Sequence, residues 1–181
     1  HPNYLTIYGK ATMAVILGRA GKRSQAMQQL NSLKQYSVYK EEMGRYYDTR
    51  HAYYSWYDYK IPTQVAAIEA LKLITPDDKK TITELQRWLL QSKRTQLWDT
   101  PINCANAVYA FVDGNLSTLT EPTTPATLKL GNTALTTTAA VPGTGYVQAQ
   151  QTGSHFGTFT AENHTNRVTW GAVYAEFTQK A

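Results

Sequence analysis

Catalysis would need acids, bases or nucleophiles in workable groups, and this chain offers three sets of them. Asp48, Asp58 and Asp99 each stand in a turn-like segment ahead of a helical pattern. A helical barrel with two carboxylates at its mouth can hydrolyse glycosidic bonds, one acting as acid and the other as base or nucleophile. The same residue type before a helix is also a preferred local choice, because its short side chain accepts hydrogen bonds from nearby backbone N–H groups. The spacing favours turn structure. Cys104 lies among Ala105, Ala107 and Val108, on a helix expected to be buried. A reactive thiolate needs a partly exposed, electropositive setting, so Cys104 reads as a core thiol. His51, His155 and His164 show no short metal-ligand spacing with one another or with the lone cysteine. Gly153, Ser154 and His155 read as a polar loop, since a triad is defined by geometry and not by adjacency. No residue is assigned a catalytic, metal-binding or cofactor-binding role.

Aromatic residues offer a different chemistry. Between residues 39 and 61 stand Tyr39, Tyr46, Tyr47, Tyr53, Tyr54, Trp56, Tyr57 and Tyr59, with no clear helical period. Aromatic faces stack on the apolar faces of sugar rings, which makes Tyr53 and Trp56 candidates for a binding surface. Tyrosines wedged between helix ends would give the same pattern, and the segment is read as a packed connection.

The elements that must position these residues are helical up to about residue 120. Leu5, Tyr8, Thr12, Val15 and Ile16 recur at three- and four-residue spacing, and Gly18 to Gly21 supplies a break. A second helix over 23–38 carries Ala26, Leu30, Leu33 and Ser37 on one stripe. So short a connection makes the two helices antiparallel neighbours. Pro62 suits the first turn of a third helix, whose Val65, Ala66, Ala67, Ile68, Ala70, Leu71, Leu73 and Ile74 leave little polar surface. Thr75, Pro76 and Asp78 predict a capped start to a fourth helix with Ile82, Leu85, Trp88 and Leu89 as its apolar stripe. Thr100 and Pro101 repeat that logic for a fifth helix, again apolar nearly all round. Near-apolar helices on either side of an amphipathic one are what the inner and outer layers of a curved or closed array require. Tyr47, Asp48 and Thr49 also match Trp98, Asp99 and Thr100 at an offset of 51 residues, which suggests duplicated hairpins.

After Leu119 the composition shifts to Thr, Pro, Gly and Ala. Residues 121–125 read as a linker, and strand patterns follow over 127–130, 134–138, 145–150, 157–163 and 167–178, the last with Val168, Trp170, Ala172 and Tyr174 on one face. The expected fold class is therefore α+β. Helical hairpins of an α/α-toroid type occupy residues 1–120, and a small antiparallel β module, a partial sandwich, occupies 121–181.

Charge and composition narrow the function classes. The net charge of +5 is spread along the helices and interleaved with Glu and Gln, without the basic run that nucleic-acid binding needs. No stretch approaches the roughly 18 to 20 apolar residues of a membrane span. A single cysteine forbids an intrachain disulfide, so redox evidence says nothing of compartment. The chain opens at His1, already in a helical pattern, and is expected to be cut from a longer polypeptide.

The stretch from Arg87 to Phe111, RWLLQSKRTQLWDTPINCANAVYAF, resembles the thioester-containing helical domain of bacterial α2-macroglobulin-like proteins. Trp88 and Leu89 match the end of an outer helix, Trp98, Asp99 and Thr100 the following loop, and Ala107 to Phe111 the alanine-rich inner helix. Gln64 to Leu71 resembles the inner helix of the preceding hairpin, and Trp170 to Tyr174, WGAVY, the closing strand of the β region. The resemblance implies a part of a protease-trapping protein of the bacterial envelope or periplasm. Its partners would be proteases and other domains of the same polypeptide. The family's Cys-x-Glu-Gln thioester signature is absent here, since Cys104 is followed by Ala105, Asn106 and Ala107, so no reactive residue carries over. Two rivals remain on the residues alone. One is a carbohydrate- or protein-binding module using the aromatic residues of 46–59, the other an α/α-toroid glycan hydrolase using the aspartates.

Overall fold

The computed structural model describes residues 4–49, 60–95, 98, 100–112, 124–141, 145–153, 157–165 and 169–177. It contains five helices and two small antiparallel sheets, an α+β chain that divides into two compact units, His1–Gly114 and Asn115–Ala181.

In the first unit α1 spans Ile7–Arg19, started by the Thr6 hydroxyl, which accepts from Gly9 N at 3.0 Å. It runs through Gly18 and stops at Gly21, whose φ of +72° closes the turn, with Gly21 N donating to Gly18 O and Lys22 N to Leu17 O. That double bond pattern satisfies carbonyls the helix end leaves free, and only glycine adopts the required conformation cheaply. The buried face is Ile7, Lys10, Ala11, Ala14 and Val15, while Tyr8 and Ile16 are exposed. Of the stripe expected from Leu5, Tyr8, Thr12, Val15 and Ile16, Val15 is buried and Leu5 and Thr12 are half-buried, while Tyr8 and Ile16 face outward, so the inner face is rotated from the expected one. Small residues occupy the true inner face because α3 comes close: a Cβ at Gly18 would fall 2.6 Å from Leu73 Cδ2.

α2 (Arg23–Lys34) buries Ala26, Gln29, Leu30 and Leu33 against α1. It ends four residues earlier than its periodicity suggested, and Ser37 begins a strand. β1 (Ser37–Lys40) pairs antiparallel with β2 (Gly44–Tyr47), in the register Ser37 to Tyr47 and Lys40 to Gly44. This hairpin begins in the last two residues of the expected second helix and continues into the segment expected to be a packed connection.

α3 (Lys60–Ile74) is the centre of the unit, burying Val65, Ala67, Ile68, Ala70, Leu71 and Ile74 and packing on α1, α2, α4, α5 and β2. The near-absence of polar surface that predicted its burial holds. α4 (Lys79–Thr95) buries Ile82, Leu85, Trp88 and Leu89, the expected stripe. Its cap is Asp78, not Thr75. The Asp78 carbonyl accepts from Ile82 N at 3.2 Å and its Oδ1 from Thr81 N at 3.3 Å, while the Thr75 hydroxyl donates to Leu71 O and closes α3.

α5 (Pro101–Val112) buries only Ala107 and Ala110. Ile102, Val108 and Tyr109 are 72%, 50% and 42% exposed, so the expectation of a helix covered on most sides fails. Two donors from neighbouring helices, Lys72 Nζ at 3.0 Å and Gln86 Nε2 at 3.1 Å, converge on the carbonyl of Ala110 in its last turn. The last turn of α1 thus meets that of α3, and the last turn of α3 meets that of α5.

In the second unit β3 (Thr127–Leu130) pairs antiparallel on one side with β4 (Thr133–Ala134) through a turn at Gly131, and on the other with β5 (Phe159–Glu162), giving the order β4-β3-β5. An isolated bridge joins Thr137 to Ala149. The strand expected over 134–138 is two residues long. Within the 167–178 pattern, residues 169–177 run without helix, strand, turn or bend.

Candidate functional site

A grouping of polar and aromatic side chains lies where the β1–β2 hairpin rests on α4. Gly44, at φ +89°, lets the β2 backbone approach the carbonyl of Glu84 and the amide of Trp88 more closely than any side chain would allow. From that base Arg45 donates through Nε to Glu84 Oε2 at 2.8 Å and through Nη1 to Ser37 Oγ at 3.0 Å, with its guanidinium 5.5 Å from the centre of the Tyr39 ring. Tyr46 stacks on Trp88 with centroids 5.7 Å apart at 22°. One residue on, Tyr47 turns inward and is 1% exposed, and its hydroxyl has no hydrogen-bond partner among the described residues. Its carbonyl accepts from Gln64 Nε2 at 3.4 Å. Burial raises the Tyr47 phenol to about 12 against the partly offsetting charge of Arg45, because a phenolate would be desolvated there.

Trp88 is thus a buried anchor joining α4 to the hairpin. Trp98 is half-buried, with Lys93 Nζ 5.2 Å from its ring centre and its indole N–H without an acceptor among the described residues. Thr100 caps α5: its hydroxyl accepts from Asn103 N at 3.1 Å and its carbonyl from Cys104 N at 3.0 Å. Trp170 is half-buried in the second unit. Asp99, Tyr53, Trp56, Asp58, His51, Ser154 and His155 lie outside the described residues. Asp48 directly follows β2. His164 Nε2 sits 2.6 Å from Thr127 Oγ1 at the start of β3. Cys104 is exposed, which corrects its reading as a core thiol; α5 turns it to the side that neither α3 nor α4 covers.

Several carboxylates of the helical unit are occupied in pairing. Glu84 holds Arg45, Glu69 holds Arg19, and Asp78 caps α4 while lying 3.8 Å from Lys34. Among the described residues no three His, Cys, Asp or Glu side chains gather as a metal site, and no helix is long and apolar enough to cross a membrane. What the grouping does chemically is hold a hairpin on a helix through a charge-assisted pair and a ring stack.

The hairpin was missed although its signal is present. Val38 and Tyr39 stand on one side and Arg45, Tyr46 and Tyr47 on the other, around a short loop closed by a glycine at positive φ. The run of tyrosines hid the period of two.

Comparison of the chain with protein-family models, curated proteins and solved structures finds no match.

Proposed function

We propose that the chain is a non-catalytic part of an α2-macroglobulin-like protease trap of the bacterial envelope, comprising helical hairpins of an α/α toroid and part of a β sandwich. The observation that carries this reading is the order of the Arg87–Phe111 motif, with Trp88 on α4, Trp98 and Thr100 between α4 and α5, and an alanine-rich helix from Pro101. The arrangement of the hairpins supports it. α3 packs on both α1 and α5, α2 packs on α1, and α4 packs on α3. In an α/α array each outer helix returns the chain to the next inner one. The exposed apolar side of α5 is where a further hairpin would continue the curve. In this reading the proteases engage the whole polypeptide, and residues 1–181 position other domains without touching the scissile bond.

The test is protease shielding by the parent polypeptide. After incubation with an endoprotease, it should block cleavage of a large protein substrate while leaving a short peptide substrate cleaved. Residues 1–181 alone should leave both activities unchanged. Full cleavage of the large substrate in the presence of the parent would overturn the proposal.

A further inference from the structure

Two triplets of the form Asn-x-Ser/Thr occur in the chain, Asn115-Leu116-Ser117 and Asn163-His164-Thr165. The first lies outside the described residues. The second begins directly after β5, where the chain leaves the sheet.

There the Asn163 carboxamide accepts twice from one residue, from Thr165 N at 3.0 Å and from Thr165 Oγ1 at 2.9 Å. A main-chain N–H can only donate, so the atom shared by both bonds is the carboxamide oxygen and not its nitrogen. An Asx turn ends a strand with the main-chain bond alone, whether or not it has a further role. The second bond needs a hydroxyl two residues on, and it joins asparagine and threonine into one unit. The residue between them is turned elsewhere, with His164 Nε2 lying 2.6 Å from Thr127 Oγ1 on β3. Asn163 and His164 are exposed, and Thr165 is half-buried.

We propose that Asn163 is the acceptor of an N-linked glycan. The sugar donor is an oligosaccharide carried on a polyprenyl diphosphate, and the transferase reads asparagine and hydroxyl together. Nδ2 of Asn163 attacks the anomeric carbon of the donor. A C–N bond forms as the bond from that carbon to the diphosphate oxygen breaks. The diphosphate leaves with the electron pair, and one Nδ2 proton passes to a base of the transferase, so nothing is oxidised or reduced. A carboxamide nitrogen shares its lone pair with its carbonyl and is a weak nucleophile, so the enzyme's grip on the triplet decides the site. The position has room for a bulky hydrated group, since no described residue of this unit is buried. The proposal does not rest on the protease-trap reading. It requires only that this unit reach the side of a membrane on which such donors are presented.

Peptide mapping of the chain isolated from its own cells, before and after an amidase that releases N-glycans, tests it. The expected result is a sugar mass increment on the peptide holding Asn163, removed by the amidase with conversion of that asparagine to aspartate. Asn163→Gln and Thr165→Val, returned to the same cells, should each abolish the increment; Thr165→Ser should keep it, and Asn115→Gln should leave it unchanged. An unmodified Asn163 in the wild-type chain overturns the proposal, including the case in which Asn115 alone carries a glycan. A glycan that survives at Asn163 in Thr165→Val, or that Thr165→Ser loses as fully, overturns it as well.

Discussion

Tyr47 shows how a single side chain can be well packed and badly bonded at once. Its ring fills the space under the hairpin, so Tyr47→Ala should cost about 3–5 kcal/mol, as large-to-small changes in cores do. The hydroxyl, buried without a hydrogen-bond partner among the described residues, contributes nothing favourable, and Tyr47→Phe should be neutral or stabilising by up to ~1 kcal/mol in urea unfolding. The same group sets an alkaline limit. Its folded value of about 12 lies above the ordinary 10.0, so the native state holds this proton more tightly than the unfolded chain. The stability this represents is intact below pH 10 and is lost as pH rises through 12. Wild type should therefore lose on the order of 2 kcal/mol relative to Tyr47→Phe across that window, and parallel denaturation curves at the two ends would refute the assignment. Cys104 gives a simpler test, since an exposed thiol should be labelled stoichiometrically by a maleimide without denaturant. At this scale the sequence was legible where one local rule applied, as at Thr100. It misled where two did: Thr75-Pro76-Asp77-Asp78 permits a cap at either Thr75 or Asp78, and the Leu71 carbonyl, by claiming the threonine hydroxyl, decides between them.

Among the elements, the helices were visible from their periods and the hairpin was not. Their faces were read less well than their existence. α4 carries large apolar residues only on its inner side, so its stripe was unambiguous. On α1 the inner face combines Ile7 and Val15 with Ala11, Ala14 and Lys10 while the larger Tyr8 and Ile16 lie outside, because close approach to α3 selects for small size over hydrophobicity. Two turn glycines separate crowding from backbone strain. Gly21→Ala meets open space and should cost about 1 kcal/mol for its positive φ alone. Gly44→Ala adds a collision with the α4 backbone and should cost about 2 kcal/mol or more, lifting the hairpin and quenching the Tyr46–Trp88 stack. Equal losses in thermal unfolding for the two variants would remove the claimed contact. Thr100→Ala should cost about 1 kcal/mol, with amide exchange faster first at Asn103 and Cys104.

For the molecule as a whole, the two units differ in kind. The helical unit has a continuous core running from Ile7 through Leu71 to Leu89 and Ala110, whereas no described residue of the β unit is buried. Heating should therefore melt the helical signal in one cooperative step whose midpoint is indifferent to Val173→Asp with Tyr174→Asp; a shifted midpoint would mean the units share stability. Which apolar helix is central could not be read from the sequence. α3 and α5 have similar compositions, and only the neighbours on both sides of α3 distinguish them.

The meeting of Lys72 and Gln86 on one carbonyl has a consequence for how this chain can drift over generations. The acceptor is the main chain at Ala110, so no chemical identity is demanded of residue 110 beyond smallness, and glycine or serine would serve there. The hydrogen-bonding demand falls on two distant positions, 72 and 86, which meet here on main chain. In a set of diverged relatives, 72 and 86 should each keep a long side chain ending in a donor while the residue they secure varies freely, an anchorage that pairwise covariation between side chains would miss.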